Sequence, residues 1–398
     1  MAQSLLGRST LVLLATLAAA SLAWAGRRAW DDSGDLMRRA EETALFVRGQ
    51  DPYRDPDMTY PPSAPPVFAP LVAPFGPRAL RGFWLLLNLA ALAAVCAAVL
   101  DQLGGGWPAG VKVLFCLVVV ASKPARGGIG LGQFHLIPLA LMLWAASPRG
   151  ERRPVVAGLG VGLALVKPTM VLPLLGFLAA RRRWRTLAVA IGFQAAALGV
   201  TSAWLRIGPD RLMAEWFARA RGQQAEGLID LPSVALRCCE LPPMASPLIT
   251  LAVLALGGAA TWAWRRGPDF GLIGLGAFLA AIFTYHRTYD LVLLIPALAL
   301  AIDAGTRAQG PRGRRLTRAA AALFAALLIA PSHPAAAGRF GALHDAAFIP
   351  MAYAFLALTL AYVRRDAVGP TGSHPRRSGA RGPHATTPNV AGATLGVG

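Results

Sequence analysis

Lysine is nearly missing from this chain. Of its 39 basic residues only Lys112, Lys123 and Lys167 are lysine, and the rest are arginine. In a chain so rich in alanine and glycine that bias reflects coding composition, and it makes each lysine conspicuous. Charge is scarce as well, at 15% of the residues against 55% hydrophobic over 398 residues, which excludes one soluble core. The four cysteines offer no metal-ligand spacing. Cys96 and Cys116 lie in apolar runs as small core residues, and Cys238 and Cys239 are adjacent in a loop. No nucleotide-binding motif is present, and neither a metal nor an organic cofactor is expected. No internal repeat is visible, which counts against a transporter built from duplicated halves.

What is present is a series of apolar runs near the length that spans a bilayer. The chain therefore reads as an all-α, polytopic integral membrane protein of about ten to twelve segments, with amphipathic helices outside the bilayer. A formal charge of +19 suggests nucleic acid. The arginines, however, gather in short loops and in the C-terminal tail, which is the positive-inside pattern, so no nucleic-acid partner is expected.

The polar stretch 30–66 interrupts the apolar runs and carries eight carboxylates. Ser33 to Asp35 offer helix N-caps, and Leu36, Met37, Ala40, Ala44 and Val47 then share one helical face. Arg38, Arg39, Glu41, Glu42 and Arg48 fall mostly on the other, and Gly49 can end the helix. Such a helix lies along the membrane surface. The tail Asp51-Pro52-Tyr53 and Tyr60-Pro61-Pro62 is rigid and aromatic, suited to the headgroup level.

Expected spans cover 5–25, 80–103, 110–122, 127–146, 186–205, 247–264, 269–285, 291–303, 319–331 and 347–363. Residues 64–76 are too short and proline-rich for a clear span and would pack as a re-entrant or surface piece. Ala23-Trp24-Ala25 also matches a signal-peptidase site, although retention as an anchor is the simpler reading. Between 154 and 180 both flanks are basic, so the chain must enter and return. The turn belongs at Lys167-Pro168-Thr169, with two arms each shorter than a span. A lysine there needs an anionic partner. Alternating the segments from a cytoplasmic N-terminus puts 148–153, 181–185, 265–266, 307–318 and 364–381 inside. Residues 26–66, Lys123 and Arg126, the Lys167 turn, the second polar loop 206–246 with its amphipathic helix at 211–221, and the His286 turn then fall outside. A membrane unit of residues 1–365 and a disordered basic cytoplasmic tail, 366–398, complete the organisation.

A carboxylate loop facing Lys123, Arg126, Lys167, His286 and Arg287 suits group transfer from a lipid phosphate. The cations would hold the phosphate while the carboxylate takes a proton from the attacking hydroxyl. Each residue also has a structural reading. Asp35 would cap its helix, Lys123 and Arg126 would anchor in headgroups, and Gln133 and His135 would pack between helices. His286 would be a satisfied interfacial histidine, and Tyr53, Tyr60 and Trp30 would belong to the interfacial belt.

The order Asp35-Leu36, Gly49-Gln50-Asp51-Pro52-Tyr53 and Tyr60-Pro61-Pro62 resembles the first external loop of glycosyltransferase family 87. Similar matches follow at Gly132-Gln133-Phe134-His135 and at Leu165-Val166-Lys167-Pro168-Thr169, ahead of Arg181–Arg185. Another is Tyr285-His286-Arg287 before Asp290-Leu291. The resemblance implies a GT-C fold and a mannosyltransferase-like enzyme using a polyprenyl-phosphate sugar, mannose or a related hexose or pentose. The acceptor would be a lipid-linked or cell-envelope glycan outside the plasma (inner) membrane, and the anomeric centre would invert. It implies Asp35 as general base, with Lys167, Lys123, Arg126, His286, Arg287, Tyr53, Tyr60, Gln133 and His135 binding substrates. Family members often carry asparagine and a second histidine where this chain has His135 and Arg287. A lipid or solute transporter or flippase, and a non-catalytic membrane scaffold, are the alternatives from other classes.

Overall fold

The computed structural model describes residues 2–307, except 56, 224–229, 240, 243, 285 and 286, and five residues between 321 and 329. The expected span at 347–363, most of that at 319–331, the basic stretch beyond Arg307, the tail 366–398 and His286 lie outside the described residues. Within them the fold is all-helical.

The first half contains α1 (Ala2–Asp31), α2 (Gly34–Val47), α3 (Ala64–Val72), α4 (Pro77–Leu103) and α5 (Ala109–Ala121). It continues through α6 (Lys123–Leu131), α7 (Leu136–Ala146) and α8 (Pro148–Glu151). The second half contains α9 (Pro154–Ala164), α10 (Pro168–Ala180), α11 (Trp184–Leu205) and α12 (Pro209–Gln223). After these come α13 (Leu231–Cys238), α14 (Ala245–Ala263), α15 (Asp269–Ile282) and α16 (Ile295–Arg307). A 3₁₀ stretch, Thr288–Leu294, leads into α16. Proline lies in the first turn of α4, α6, α8, α9 and α10, where its fixed φ suits a helix and its missing N–H is not needed.

Among the described residues five helical runs are long and apolar enough to cross a bilayer, and six if the pair α5–α6, bent by 45°, counts as one. Four more apolar helices, α7, α9, α10 and α15, are shorter. One run extends from Ser9 to Val47, but its apolar part is α1. Beyond Ser33, whose left-handed backbone (φ 45°) breaks the helix, α2 carries Asp35, Arg38, Arg39, Glu41 and Glu42 and is an amphipathic surface helix.

The stretch 127–146, expected as one span, is instead two helices. α6 ends at Gly132, in the left-handed region at φ 69°, and α7 starts only at Leu136. A side chain at 132 would place its Cβ 2.5 Å from that of Leu36, so the close approach of α2 needs glycine there. The proline-rich stretch after Ser63 forms the short helix α3.

α15 is buried at every position from Phe270 to Ile282 and packs against α10, α14 and α16. A helix apolar on all sides belongs in the centre of such an assembly. Leu86, Val113, Ile191, Leu248, Leu251 and Leu256 instead point outward, as side chains facing lipid do. α9 lies against α11 through Gly158, where an added Cβ would sit 2.5 Å from Val189 Cβ and 2.8 Å from Thr186 O.

Arg183 donates to Ala145 O and to Glu151 Oε2, each at 2.9 Å. Arg181 donates to the carbonyls of Arg265 and Gly267 and pairs with Asp269. Three basic segments therefore meet at one end of the bundle. α9 leaves that end after Arg153 and α10 returns to it at Arg181, so the Lys167 turn between them lies at the opposite end.

Candidate active site

A cavity of about 180 Å³ opens at that opposite end. Asp35, Tyr60, Gln133, Lys167 and Arg287, all singled out in the sequence, line it together. Trp84, Phe134 and Tyr289 supply aromatic wall.

Asp35 does not cap its helix. Ser33 holds the N-cap position without a side-chain cap bond, and its hydroxyl donates back to Ala29 O. Asp35 sits in the first turn of α2, and its Oδ2 accepts a hydrogen bond from the side-chain amide of Gln133. Gln133 reaches it because α6 stops at Gly132 and turns the chain toward α2. The Gln133 bond fixes the orientation of the carboxylate.

The face of α2 also differs from expectation. Leu36, Glu42, Thr43 and Phe46 are the buried positions, whereas Val47 is 45% exposed. Arg39 and Glu42, expected on the solvent side, turn inward and pair with each other, their side chains 11% and 4% exposed. Because the two neutralise one another, the polar edge of the helix can pack against protein. Burial pushes the Glu42 carboxyl up to about 8, against the pull of the Arg39 guanidinium. Arg39 also stacks over the Tyr60 ring, 4.7 Å from its centroid.

Residues 51–63 are tied down by α11 and α12. Trp216 Nε1 donates to Thr59 O at 3.0 Å, Arg219 to Tyr53 O at 2.6 Å and Thr201 to Pro62 O at 2.6 Å. Tyr53 OH donates to Tyr60 O at 2.7 Å. Tyr53 is thus a buried strut behind Tyr60 and does not line the cavity.

Lys167, at the N-cap position of α10, donates to Asp290 Oδ1 at 2.5 Å and lies 4.9 Å from the centroid of Tyr289. Asp290 Oδ2 accepts from the Arg287 N–H at 3.3 Å, which anchors the 3₁₀ stretch. The side chains of the pair are 11% and 5% exposed. The anion that a lysine at this turn requires is therefore Asp290.

Besides Tyr53, three expected residues stand apart. His135 is fully buried beneath the cavity, its ring 6.1 Å from that of Tyr289. Lys123 and Arg126 lie on α6 and do not line the cavity. Arg126 donates to Ala121 O at 3.3 Å and to Ser21 Oγ at 3.5 Å. Sequence reading missed Asp290, Arg39 and Trp216 as parts of the site. The need of Lys167 for an anion pointed toward Asp290, and Arg39 stands one helical turn from Asp35. Trp216 carried no signal beyond the amphipathic pattern of α12.

A family description, glycosyltransferase family 87, matches residues 58–284, more than half of the chain. The chain belongs to glycosyltransferase family 87. The matched stretch of this family 87 chain takes in Tyr60, Gln133, His135 and Lys167, while Asp35 precedes it and Arg287 and Asp290 follow it. No curated protein and no solved structure matches the chain. Family and helices together make it a multi-pass membrane glycosyltransferase.

Proposed function

We propose that this family 87 enzyme transfers a sugar, mannose or a related hexose or pentose, from a polyprenyl-phosphate donor. The acceptor is the hydroxyl of a lipid-linked or cell-envelope glycan on the non-cytoplasmic face of the plasma membrane. What carries the reading is one juxtaposition: the Asp35 carboxylate, oriented by Gln133, opens onto the same cavity as Lys167, Arg39 and Arg287.

In the proposed step the acceptor oxygen attacks the anomeric carbon from the side opposite the phosphate. The bond from that carbon to the phosphate oxygen breaks, its electron pair leaves with the polyprenyl phosphate, and the acceptor proton passes to Asp35. A single displacement of this kind inverts the anomeric centre. The hydroxyl is a weak nucleophile, so removal of its proton as it attacks acts mainly in the transition state. Cations around the cavity would stabilise the negative charge that collects on the leaving phosphate.

Turnover of a radiolabelled polyprenyl-phosphate sugar by the purified protein tests the reading. Asp35→Asn keeps size and shape but cannot take the proton, so transfer should fall by about 10²–10⁴-fold with donor binding intact. Asp31→Asn and Asp32→Asn should stay within several-fold of wild type. Full activity of the Asp35 variant would remove it as the base, and equal damage from all three would make the acidic segment structural. Labelled lipid that moves across the bilayer with its sugar bond intact would favour a flippase.

A further inference from the structure

Lys167 cannot be the whole of a phosphate site. Its ammonium is already engaged by the buried Asp290 carboxylate at 2.5 Å, so the pair brings little net charge to the cavity. A departing phosphate needs a cation whose donors are directed at it. Arg38 also lines the cavity, but it is 44% exposed and shares its charge with Asp57 at 3.3 Å across a solvated gap.

Arg39 fits better. It lines the same cavity, and its side chain is 11% exposed. It stands four residues after Asp35 on α2, which puts both side chains on one helical face, a single turn apart. The guanidinium lies against the Tyr60 ring, so its plane is fixed. Its contacts with Glu42 and with Met58 Sδ (3.6 Å) both use Nη1, which leaves the Nε and Nη2 side of the fork for a ligand. Glu42 sits behind Arg39 and outside the cavity lining, and its Oε1 is buried without a hydrogen-bond partner.

We propose that Arg39 binds the phosphate of the lipid donor, with Tyr60 positioning its guanidinium. The proposal rests on the polyprenyl-phosphate reading above and adds its anion-binding residue. Base and phosphate ligand then come from successive turns of one short helix, so the attacking hydroxyl and the leaving group are both set by the placement of α2.

The test uses the full chain in nanodiscs, with polyprenyl monophosphate as the binding probe and uncharged polyprenol as control. Arg39→Ala should weaken polyprenyl-phosphate binding and raise the donor KM by roughly tenfold to a hundredfold, with the acceptor KM and polyprenol binding unchanged. Arg39→Lys keeps the charge without the fork and should recover part of the loss. Glu42→Gln breaks the ion pair but leaves Arg39 in place, and should bind the probe at least as tightly as wild type. If Arg39→Ala does not fold, Arg39→Lys against Glu42→Gln decides between binding and structure. Wild-type affinity in Arg39→Ala, or equal loss in Arg39→Ala and Glu42→Gln, overturns the proposal while leaving the donor reading intact. A wild-type protein that neither binds nor uses polyprenyl phosphate overturns both.

Discussion

The pair Lys167–Asp290 allows stability and donor binding to be separated by experiment. Both side chains are buried and 2.5 Å apart, so solvent screens them little. Removing one partner of such a pair strands the other charge, at about 3–5 kcal/mol. Lys167→Met should therefore destabilise the protein by that amount, and Asp290→Asn by somewhat less, because its side-chain oxygen can still accept from the Arg287 N–H. Removing both charges removes the stranded one as well. The double variant Lys167→Met/Asp290→Asn should thus be more stable than the Lys167→Met single variant, with a coupling of about 2 kcal/mol or more. Unfolding in mixed detergent micelles reads the coupling, and donor KM is measured on the same four proteins. If Lys167 also touches the donor phosphate, the double variant regains stability but keeps a raised donor KM. If its task is only to balance Asp290, the double variant regains both. A coupling below about 0.5 kcal/mol would refute the buried-pair reasoning altogether.

Three further outcomes follow from the geometry. Gly132→Ala forces a left-handed backbone and a Cβ 2.5 Å from that of Leu36, so it should destabilise by about 1–3 kcal/mol and displace Gln133 from Asp35; thermal melts and turnover check it. Cysteines introduced at the exposed positions 152 and 185 should label from one side of the membrane and those at 40 and 220 from the other; opposite labelling of 152 and 185 would dismantle the returning pair α9–α10. Burial raises Glu42 from 4.5 to about 8, so the folded state binds a proton that the unfolded state releases. That contribution to stability is complete below about pH 4.5 and is used up by about pH 8, so the apparent Tm should fall between roughly pH 5 and 8 and level off above. Glu42→Gln should flatten the fall, and an unchanged slope would assign it to another group.

The parts of the fold readable from sequence were those governed by local rules. α4 and α11 follow from apolar length, and the break before Pro168 follows from a proline set between two basic flanks. Rotation of α2 was not readable, because the pattern of polar and apolar residues ignores that Arg39 and Glu42 can neutralise each other and enter the protein as a unit. The break at Gly132 was hidden for a similar reason. Its cause is the approach of Leu36, nearly a hundred residues earlier in the chain, and nothing local within 127–146 demands it. At the site, Asp35, Gln133 and Lys167 stood out as polar residues in family positions. The partner of Lys167, the strut role of Tyr53 and the burial of His135 depend on contacts between distant segments.

The shortness of α9 has a mechanical consequence for the surrounding lipid. Its 11 residues span roughly 17 Å, little more than half of a hydrocarbon layer about 30 Å thick. Val155, Val156 and Leu159 nevertheless project outward from it. A bilayer that wets this face is pinched, and its headgroup plane is drawn down toward the Lys167 turn. The phosphate of a lipid-borne sugar would then be carried toward the cavity by the membrane itself. Deformation of the bilayer would do the work that a soluble enzyme assigns to a moving lid.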